Sequence, residues 1–144
     1  MSQENIEVAR QGYDAFNAFM STGNREELLK AAARFADPQI EFHWRDRRKL
    51  PDLPRHLRGI REVMGFWVQL RSAWTDLTME PLEFIDAPDD RVVVLLRQSG
   101  RGRESDVPIE VHYFHVVTIE GGKPRKVELF RHRVDALKAA GLRE

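Results

Sequence analysis

Apolar side chains recur every three or four residues in three separate stretches of the chain, and this spacing predicts three amphipathic helices. Gly23 ends the first helix, an Asn24 and Glu27 pair that resembles a capping box begins the second, and Gly59 opens the third. The residues that share an apolar face are Ile6, Ala9, Tyr13, Phe16 and Met20 in the first helix, Leu28, Leu29, Ala32 and Phe35 in the second, and Ile60, Val63, Trp67, Leu70 and Trp74 in the third.

Alternation of apolar and polar positions predicts five strands, over 39–44, 75–86, 91–99, 107–119 and 123–131. The segment 45–58, which contains two prolines, predicts a loop. In the second strand the apolar phase reverses at Pro81, which cannot donate to a strand ladder, so we expect a bulge or an edge position there. The third strand is apolar enough to be covered on both faces. Gly121 and Gly122 supply the positive φ angles of a tight hairpin, and a short helix ending at Gly141 follows the last strand.

The order of these elements, ααβαββββα, indicates an α+β fold, because helices cluster early and antiparallel strands cluster late. We predict a cone-shaped α+β barrel in which a strongly bent, mostly antiparallel sheet wraps around the N-terminal helices. One end of such a cone is open and forms a natural site for a small molecule. No repeat or linker interrupts the sequence, so residues 1–144 are predicted to form a single domain.

Composition narrows the classes of function. Lys plus Arg and Asp plus Glu each total 23, so no general electrostatic attraction to nucleic acid or to an acidic membrane is expected. The chain has no cysteine, which excludes disulfides and thiolate chemistry and fits a reducing cytoplasm. The N-terminal segment lacks the basic and apolar regions of a signal peptide, and no apolar run approaches the roughly 20 residues that span a bilayer. We therefore expect a cytoplasmic protein without nucleic-acid or membrane partners.

Five segments of the sequence carry a family resemblance. They are GYDAFNAF in the first helix, FADPQIEFHW at the first strand, RGIREVMGFW at the third helix, FIDAPDDRVVVLLRQSGRGRES across a hairpin, and HVVTIEGGKPRKVELFRHRVDALKAAGL at the end. Over nearly its whole length the chain resembles the SnoaL-like branch of the nuclear-transport-factor-2-like superfamily. The resemblance implies the conical fold, a central pocket and a homodimer built on the outer sheet face. It leaves the function open, because this fold hosts isomerases, cyclases, dehydratases, epoxide hydrolases and binding proteins.

Three residues stand where relatives such as ketosteroid isomerase keep an aspartate base, a tyrosine and a protonated aspartate. The resemblance places Tyr13 near the tyrosine, His43 near the base and His115 near the protonated acid. A histidine has a reference pKa of about 6.5 and exchanges protons near neutral pH. One interpretation is a His43–His115 proton-transfer pair with Tyr13 as hydrogen-bond donor. The other is that all three are polar pocket residues, satisfied by one another or by water.

Six further residues are candidates for contact with a ligand. Faces expected to point inward carry Trp67, Tyr113, Val117, Leu129 and Arg131, and Trp44 ends the first strand, where it could cover the mouth of the pocket. If His115 points inward, Tyr113 and Val117 share its face. On the last strand, Arg131 shares a face with Leu129. Arg131 is therefore either a cation able to hold a carboxylate or enolate oxygen, or one partner of a salt bridge. Trp67 is either part of the pocket wall or an ordinary core residue.

No metal or cofactor is expected. His112 and His115 form an H-x-x-H pattern, but strand residues three apart point to opposite faces and cannot easily hold one ion. The glycines of 100–102 follow a strand without opening a helix, so no dinucleotide site is predicted. The positions that correspond to the two catalytic aspartates of limonene-epoxide hydrolase hold Val93 and Leu129, so that reaction is not expected.

Three functional hypotheses remain open at this point. The first is a binding protein whose conical pocket holds a small, largely hydrophobic molecule. The second is an isomerase-, cyclase- or lyase-type enzyme that uses His43 or His115 to move a proton next to a carbonyl. The third is a non-catalytic dimeric protein whose pocket is filled by side chains.

Overall fold

The computed structural model describes residues 2–45 and 56–143. Within these residues the helices are α1 (Ser2–Thr22), α2 (Arg25–Phe35), α3 (Gly59–Ala73) and α4 (Arg133–Ala139). The strands are β1 (Glu41–Trp44), β2 (His56–Arg58), β3 (Trp74–Ala87), β4 (Arg91–Gly102), β5 (Pro108–Glu120) and β6 (Lys123–Phe130). None of the described helices is long and apolar enough to cross a membrane.

The six strands form one sheet in the order β2-β1-β6-β5-β4-β3. Neighbouring strands are antiparallel except β1 and β6, which run parallel. Helices α1 and α3 pack on the inner face of the sheet, α2 packs against α1, and α4 covers part of the outer face. This arrangement confirms the predicted cone-shaped α+β fold, with a mostly antiparallel sheet around the N-terminal helices.

A bulge accounts for the reversed alternation in β3. The register between β3 and β4 shifts directly after Pro81, so that Leu82 is the additional residue and is 42% exposed. Beyond the bulge, Phe84 packs on the same inner core as Leu77 and Met79. Bulges increase the local twist and bend of a strand, and this one helps to curve the sheet over α1. The irregularity predicted at Pro81 is therefore present.

Strand β4 lies between two apolar cores. Val92, Val93, Val94 and Leu96 have no exposed surface. Val92, Val94 and Leu96 belong to the large inner core under α1 and α3, and Val93 belongs to a smaller outer core under α4. The coverage of this strand on both faces is as the sequence predicts.

Three helices have an arginine from elsewhere in the fold bound at the C-terminal end. These arginines are Arg71 at α1, Arg103 at α3 and Arg91 at α4. The Arg71 Nε donates to the Met20 carbonyl at 3.2 Å, and the Arg91 Nη1 donates to the Ala139 carbonyl at 2.9 Å. The last carbonyls of a helix have no partner within the helix and carry partial negative charge, so a guanidinium there stabilises the helix end. These contacts fix the position of each helix on the sheet.

Asn17 attaches α1 to the edge strand β3. Its side-chain amide donates to the Met79 carbonyl at 2.9 Å, and its Oδ1 accepts from the Met79 N–H at 2.8 Å. The amide thus pairs with backbone groups that an edge strand would otherwise leave open. The paired amide holds the buried face of α1, which carries Tyr13 and Phe16, over the inner face of the sheet.

The structure departs from the predicted elements at several points. Leu29, expected on the apolar face of α2, is 56% exposed, because the side of α2 that carries Leu28 and Ala32 faces the core. The prediction of a loop over 45–58 is wrong at its described end, where β2 pairs with β1, and residues 46–55 of that prediction lie outside the described residues. Strand β4 continues to Gly102, three residues beyond the end predicted for it at Ser99.

Candidate functional site

A cavity lies between the inner face of the sheet and helices α1, α2 and α3. Its volume is about 70 Å³. A water molecule needs roughly 10–15 Å³, so the cavity has room for a small organic molecule. Among the described residues, the polar side chains of its wall are Tyr13, Trp67 and His115. The rest of the wall is largely apolar and includes Phe16, Phe42, Val63, Met79 and Val127.

A hydrogen bond joins Tyr13 and His115 at this wall. The Tyr13 Oη and the His115 Nδ1 are 2.9 Å apart, and the two rings stack at 5.8 Å between centroids. Tyr13 is 6% exposed and His115 is 4% exposed. Two of the three residues that the resemblance places in the site are thus brought together, although they are far apart in the chain.

The periodicities of one helix and one strand explain this meeting. On α1, Tyr13 lies three residues before Phe16, and both side chains lie on the buried face of the helix. On β5, His115 alternates in phase with Tyr113 and Val117, which also lie in the inner core. Because α1 packs across this face, the phenol and the imidazole face each other.

Burial keeps both members of the pair uncharged at neutral pH. Burial lowers the pKa of His115 to about 3, because the charged imidazolium would lose its hydration. Burial, with a smaller contribution from Tyr113, raises the pKa of Tyr13 well above its usual range. The reference pKa near 6.5 on which a proton-transfer role depends therefore does not apply to His115.

The hydrogen-bond partners assign the tautomer of His115. Among the described residues Tyr13 Oη bonds to His115 Nδ1 alone, and a donor at Nδ1 would leave the buried phenol hydrogen without an acceptor. We therefore infer that the phenol donates to Nδ1 and that the ring proton lies on Nε2. Every fully buried polar side-chain atom of the described residues has a hydrogen-bond partner. The His115 Nε2 has no such partner among them, so this atom is not fully enclosed. Because His115 lines the cavity, we infer that its Nε2–H faces that space.

His43 lies on the opposite face of the sheet from His115. Side chains alternate along β1, so Phe42 lines the cavity and His43 lies beside Glu41 on the outer face. The His43 Nε2 is 2.8 Å from the Glu41 Oε1, and the His43 ring lies 6.0 Å from the ring of His56. The hydrogen bond with His43 lowers the pKa of Glu41. The expectation that His43 and His115 share one pocket is therefore wrong.

Arg131 is exposed and is not part of the cavity wall. Strand β6 ends at Phe130, so the alternation that places Val127 and Leu129 inward stops before Arg131. The expectation of a cation at this wall is wrong for that reason. Among the described residues, no arginine or lysine lines the cavity, and no cluster of acidic and histidine side chains could hold a metal ion.

Val117 and Trp67 do line the cavity. Trp67 stands edge-on to Phe16, with 5.0 Å between ring centroids, and so belongs to the wall and to the core at once. Phe42 and Met79 also line the cavity, and the sequence analysis did not single them out. The alternation along β1 was a usable signal for Phe42, whereas the inward direction of Met79 depends on the register of an irregular strand.

The other three candidates for the wall pack in the inner core beside the cavity. Tyr113 donates from its hydroxyl to the Gln98 Oε1 at 2.9 Å. Trp44 lies edge-on to Phe66 at 5.3 Å, and Leu129 packs against the same core. Each is buried or partly buried, and none is among the residues that line the cavity. Their contribution is to support the wall from behind.

Comparison with known proteins agrees with this fold. A family model described as a SnoaL-like domain matches residues 9–127, a segment that includes Tyr13 and His115. The chain belongs to the SnoaL-like domain family. No protein with a curated description matches it.

Solved structures similar to this SnoaL-like chain cover nearly all of it. A candidate SnoaL-like polyketide cyclase from Jannaschia sp. CCS1 has a TM-score of 0.72 at 15% identity, over 97% of this chain and 92% of that chain. A nuclear-transport-factor-2-like protein of unknown function from Burkholderia pseudomallei K96243 has a TM-score of 0.70 at 20% identity, over 97% and 98%. A hypothetical protein with a ketosteroid isomerase-like fold from Catenulispora acidiphila DSM 44928, in complex with trimethylamine, has a TM-score of 0.63 at 12% identity, over 90% and 91%. At these identities the likeness establishes the shared fold.

We predict that removing one member of the Tyr13–His115 pair destabilises the protein more than removing both. His115→Phe leaves the Tyr13 hydroxyl buried without an acceptor and should lower the free energy of unfolding by roughly 1–3 kcal/mol. Adding Tyr13→Phe removes that hydroxyl, so the double variant should recover part of the loss. Chemical denaturation of the wild type, the two single variants and the double variant measures the coupling energy between the two side chains. Strictly additive losses would show that the bond contributes nothing to stability.

We also predict that His115 makes the protein less stable in acid. Its folded pKa of about 3 lies below the unfolded value near 6.5, so in acid the unfolded chain binds a proton that the folded chain does not. The contribution of His115 to the free energy of unfolding is fully present above pH 6.5 and is lost as the pH falls toward 3. The loss between pH 7 and pH 5 is at most about 2 kcal/mol.

Denaturant unfolding at pH 7, 6 and 5 measures this dependence. The Tyr13→Phe/His115→Phe variant should lose it. His112→Gln, which removes an exposed histidine from the same strand, should retain it. If the double variant keeps the full acid dependence of the wild type, the destabilisation does not come from His115.

Proposed function

We propose that this SnoaL-like protein binds a small, uncharged and largely apolar molecule in its cavity, and that one oxygen of the ligand accepts a hydrogen bond from the His115 Nε2. The observation that carries this proposal is that the buried His115 lines a largely apolar cavity and that its Nε2 has no partner among the described residues. Binding sites of this kind take their affinity from apolar contact and their orientation from a few polar groups.

The lining of the cavity supports an apolar ligand, and its size limits that ligand to one ring at most. Its volume of about 70 Å³ is about half that of an engineered apolar cavity of roughly 150 Å³ that binds benzene. Aromatic and branched side chains such as Phe16, Phe42 and Val63 supply most of the wall. A ligand that replaces water there gains from the burial of its own apolar surface.

The charge of the wall favours a neutral ligand over a carboxylate. Among the described residues of the wall no arginine or lysine is present to pair with an anion. His115 does not take over that role, because burial holds its pKa far below neutral pH. An ionised group without a partner is costly to bury, so a ketone, ester, ether or phenol suits this site better than an acid.

An isomerase- or cyclase-type reaction is the second candidate function. A neutral histidine N–H is a donor able to stabilise negative charge that develops on a carbonyl oxygen. A complete proton transfer also needs a base, and the described residues of the wall include no carboxylate. His115, with a pKa of about 3, is itself a poor proton acceptor. Catalysed exchange of the α-hydrogens of cyclohexanone for deuterium, lost in His115→Phe, would favour this candidate.

Phenol and toluene test the binding proposal, because they have nearly the same shape and differ in one hydroxyl. We predict that the wild type binds both, and that its preference for phenol over toluene falls at least tenfold in the Tyr13→Phe/His115→Phe variant. A tenfold change corresponds to about 1.4 kcal/mol, which is the size of one hydrogen bond. The difference in hydration of the two probes is the same for both proteins, so it cancels when the ratio of the two dissociation constants is compared between the wild type and the variant.

Ligand-observed NMR titration gives both dissociation constants in the millimolar range, and His112→Gln is the matched control. Equal preference for phenol in the wild type and the double variant would contradict the role of His115. Failure of the wild type to bind either probe would contradict the proposed site.

A further inference from the structure

A glycine interrupts the buried face of α1 at the cavity. Gly12 is the eleventh of the 21 residues of this helix, far from either end. Glycine in a helix interior is less stable than alanine, because it loses more backbone freedom on folding. Neither a turn nor a helix end accounts for a glycine at this position.

Gly12 lies between buried residues on the face of α1 that borders the cavity. Ala9, Tyr13 and Phe16 lie on the same face of α1 and are 3%, 6% and 2% exposed. Gly12 lies among them and lines the cavity, yet it is itself only partly buried. Because Gly12 lines the cavity, a side chain at this position would lie at the cavity wall next to Tyr13.

Gly65 in α3 provides a comparison within the same chain. It also lies in a helix interior, is exposed, and would have no heavy atom within 4 Å of an added Cβ. It is not among the residues that line the cavity. The two glycines share the same helical disadvantage, and only Gly12 borders the candidate site.

We propose that Gly12 is a specificity-determining residue, whose missing side chain admits ring-sized, neutral ligands to the position next to His115. The proposal rests on the proposed function, because it assigns the size limit of the same cavity. It makes Gly12 a position where helix stability is given up for ligand space.

Alanine substitutions separate ligand space from helix stability. Gly12→Ala and Gly65→Ala should each raise the Tm by roughly 2–4 °C, because alanine favours the helix in both places. Gly12→Ala should weaken the binding of both phenol and toluene at least fivefold, and Gly65→Ala should leave both unchanged. Gly12→Leu, which adds a larger side chain, should abolish the binding of both probes.

Each outcome decides a different part of the proposal. Unchanged binding of both probes in Gly12→Ala and Gly12→Leu, with a wild type that binds them, would overturn the role of Gly12 and leave the proposed function standing. Equal weakening in Gly12→Ala and Gly65→Ala would also overturn it, because the effect would not depend on the cavity. A wild type that binds neither probe would overturn the proposed function and this inference together.

Discussion

The hydrogen bond between Tyr13 and His115 constrains the whole inner core. Each group is more than nine-tenths buried, and either one alone would be a buried polar group without a partner. The bond joins α1 near the start of the chain to β5 near its end. It therefore fixes both the height and the rotation of α1 over the sheet, and with them the shape of the cavity that the two residues border.

Other contacts hold α1 in the orientation that this bond needs. Asn17 pairs with the backbone of Met79 on the edge strand, and Arg71 binds the carbonyl of Met20 at the end of the helix. These polar contacts restrict rotation and sliding of the helix, which apolar packing alone would resist less specifically. The same orientation turns Gly12 toward the cavity. A single helix thus supplies both the hydroxyl that bonds to the imidazole and the glycine that lines the cavity beside it.

The sequence predicts the elements well because local periodicity determines them, and it predicts the site less well because packing determines which face is inward. Alternation on β1 shows that Phe42 and His43 point opposite ways, and the resemblance indicated His43. The structure buries the larger apolar ring instead, which removes more apolar surface from water. The predicted last strand ended at Arg131, one residue later than β6, and this error placed Arg131 on the inner face. Element ends commonly differ by one or two residues. The low pKa of His115 depends on its degree of burial, which results from tertiary packing and cannot be predicted from a pattern in the sequence.

The most direct test of this account is a ¹⁵N NMR titration of the His115 imidazole between pH 8 and pH 4.5. We expect a neutral ring with its proton on Nε2 throughout that range, because burial disfavours the cation and we infer that Tyr13 donates to Nδ1. His112, which is exposed on the same strand, serves as the internal reference. Titration of His115 with a pKa near 6.5, or a ring proton on Nδ1, would contradict the account.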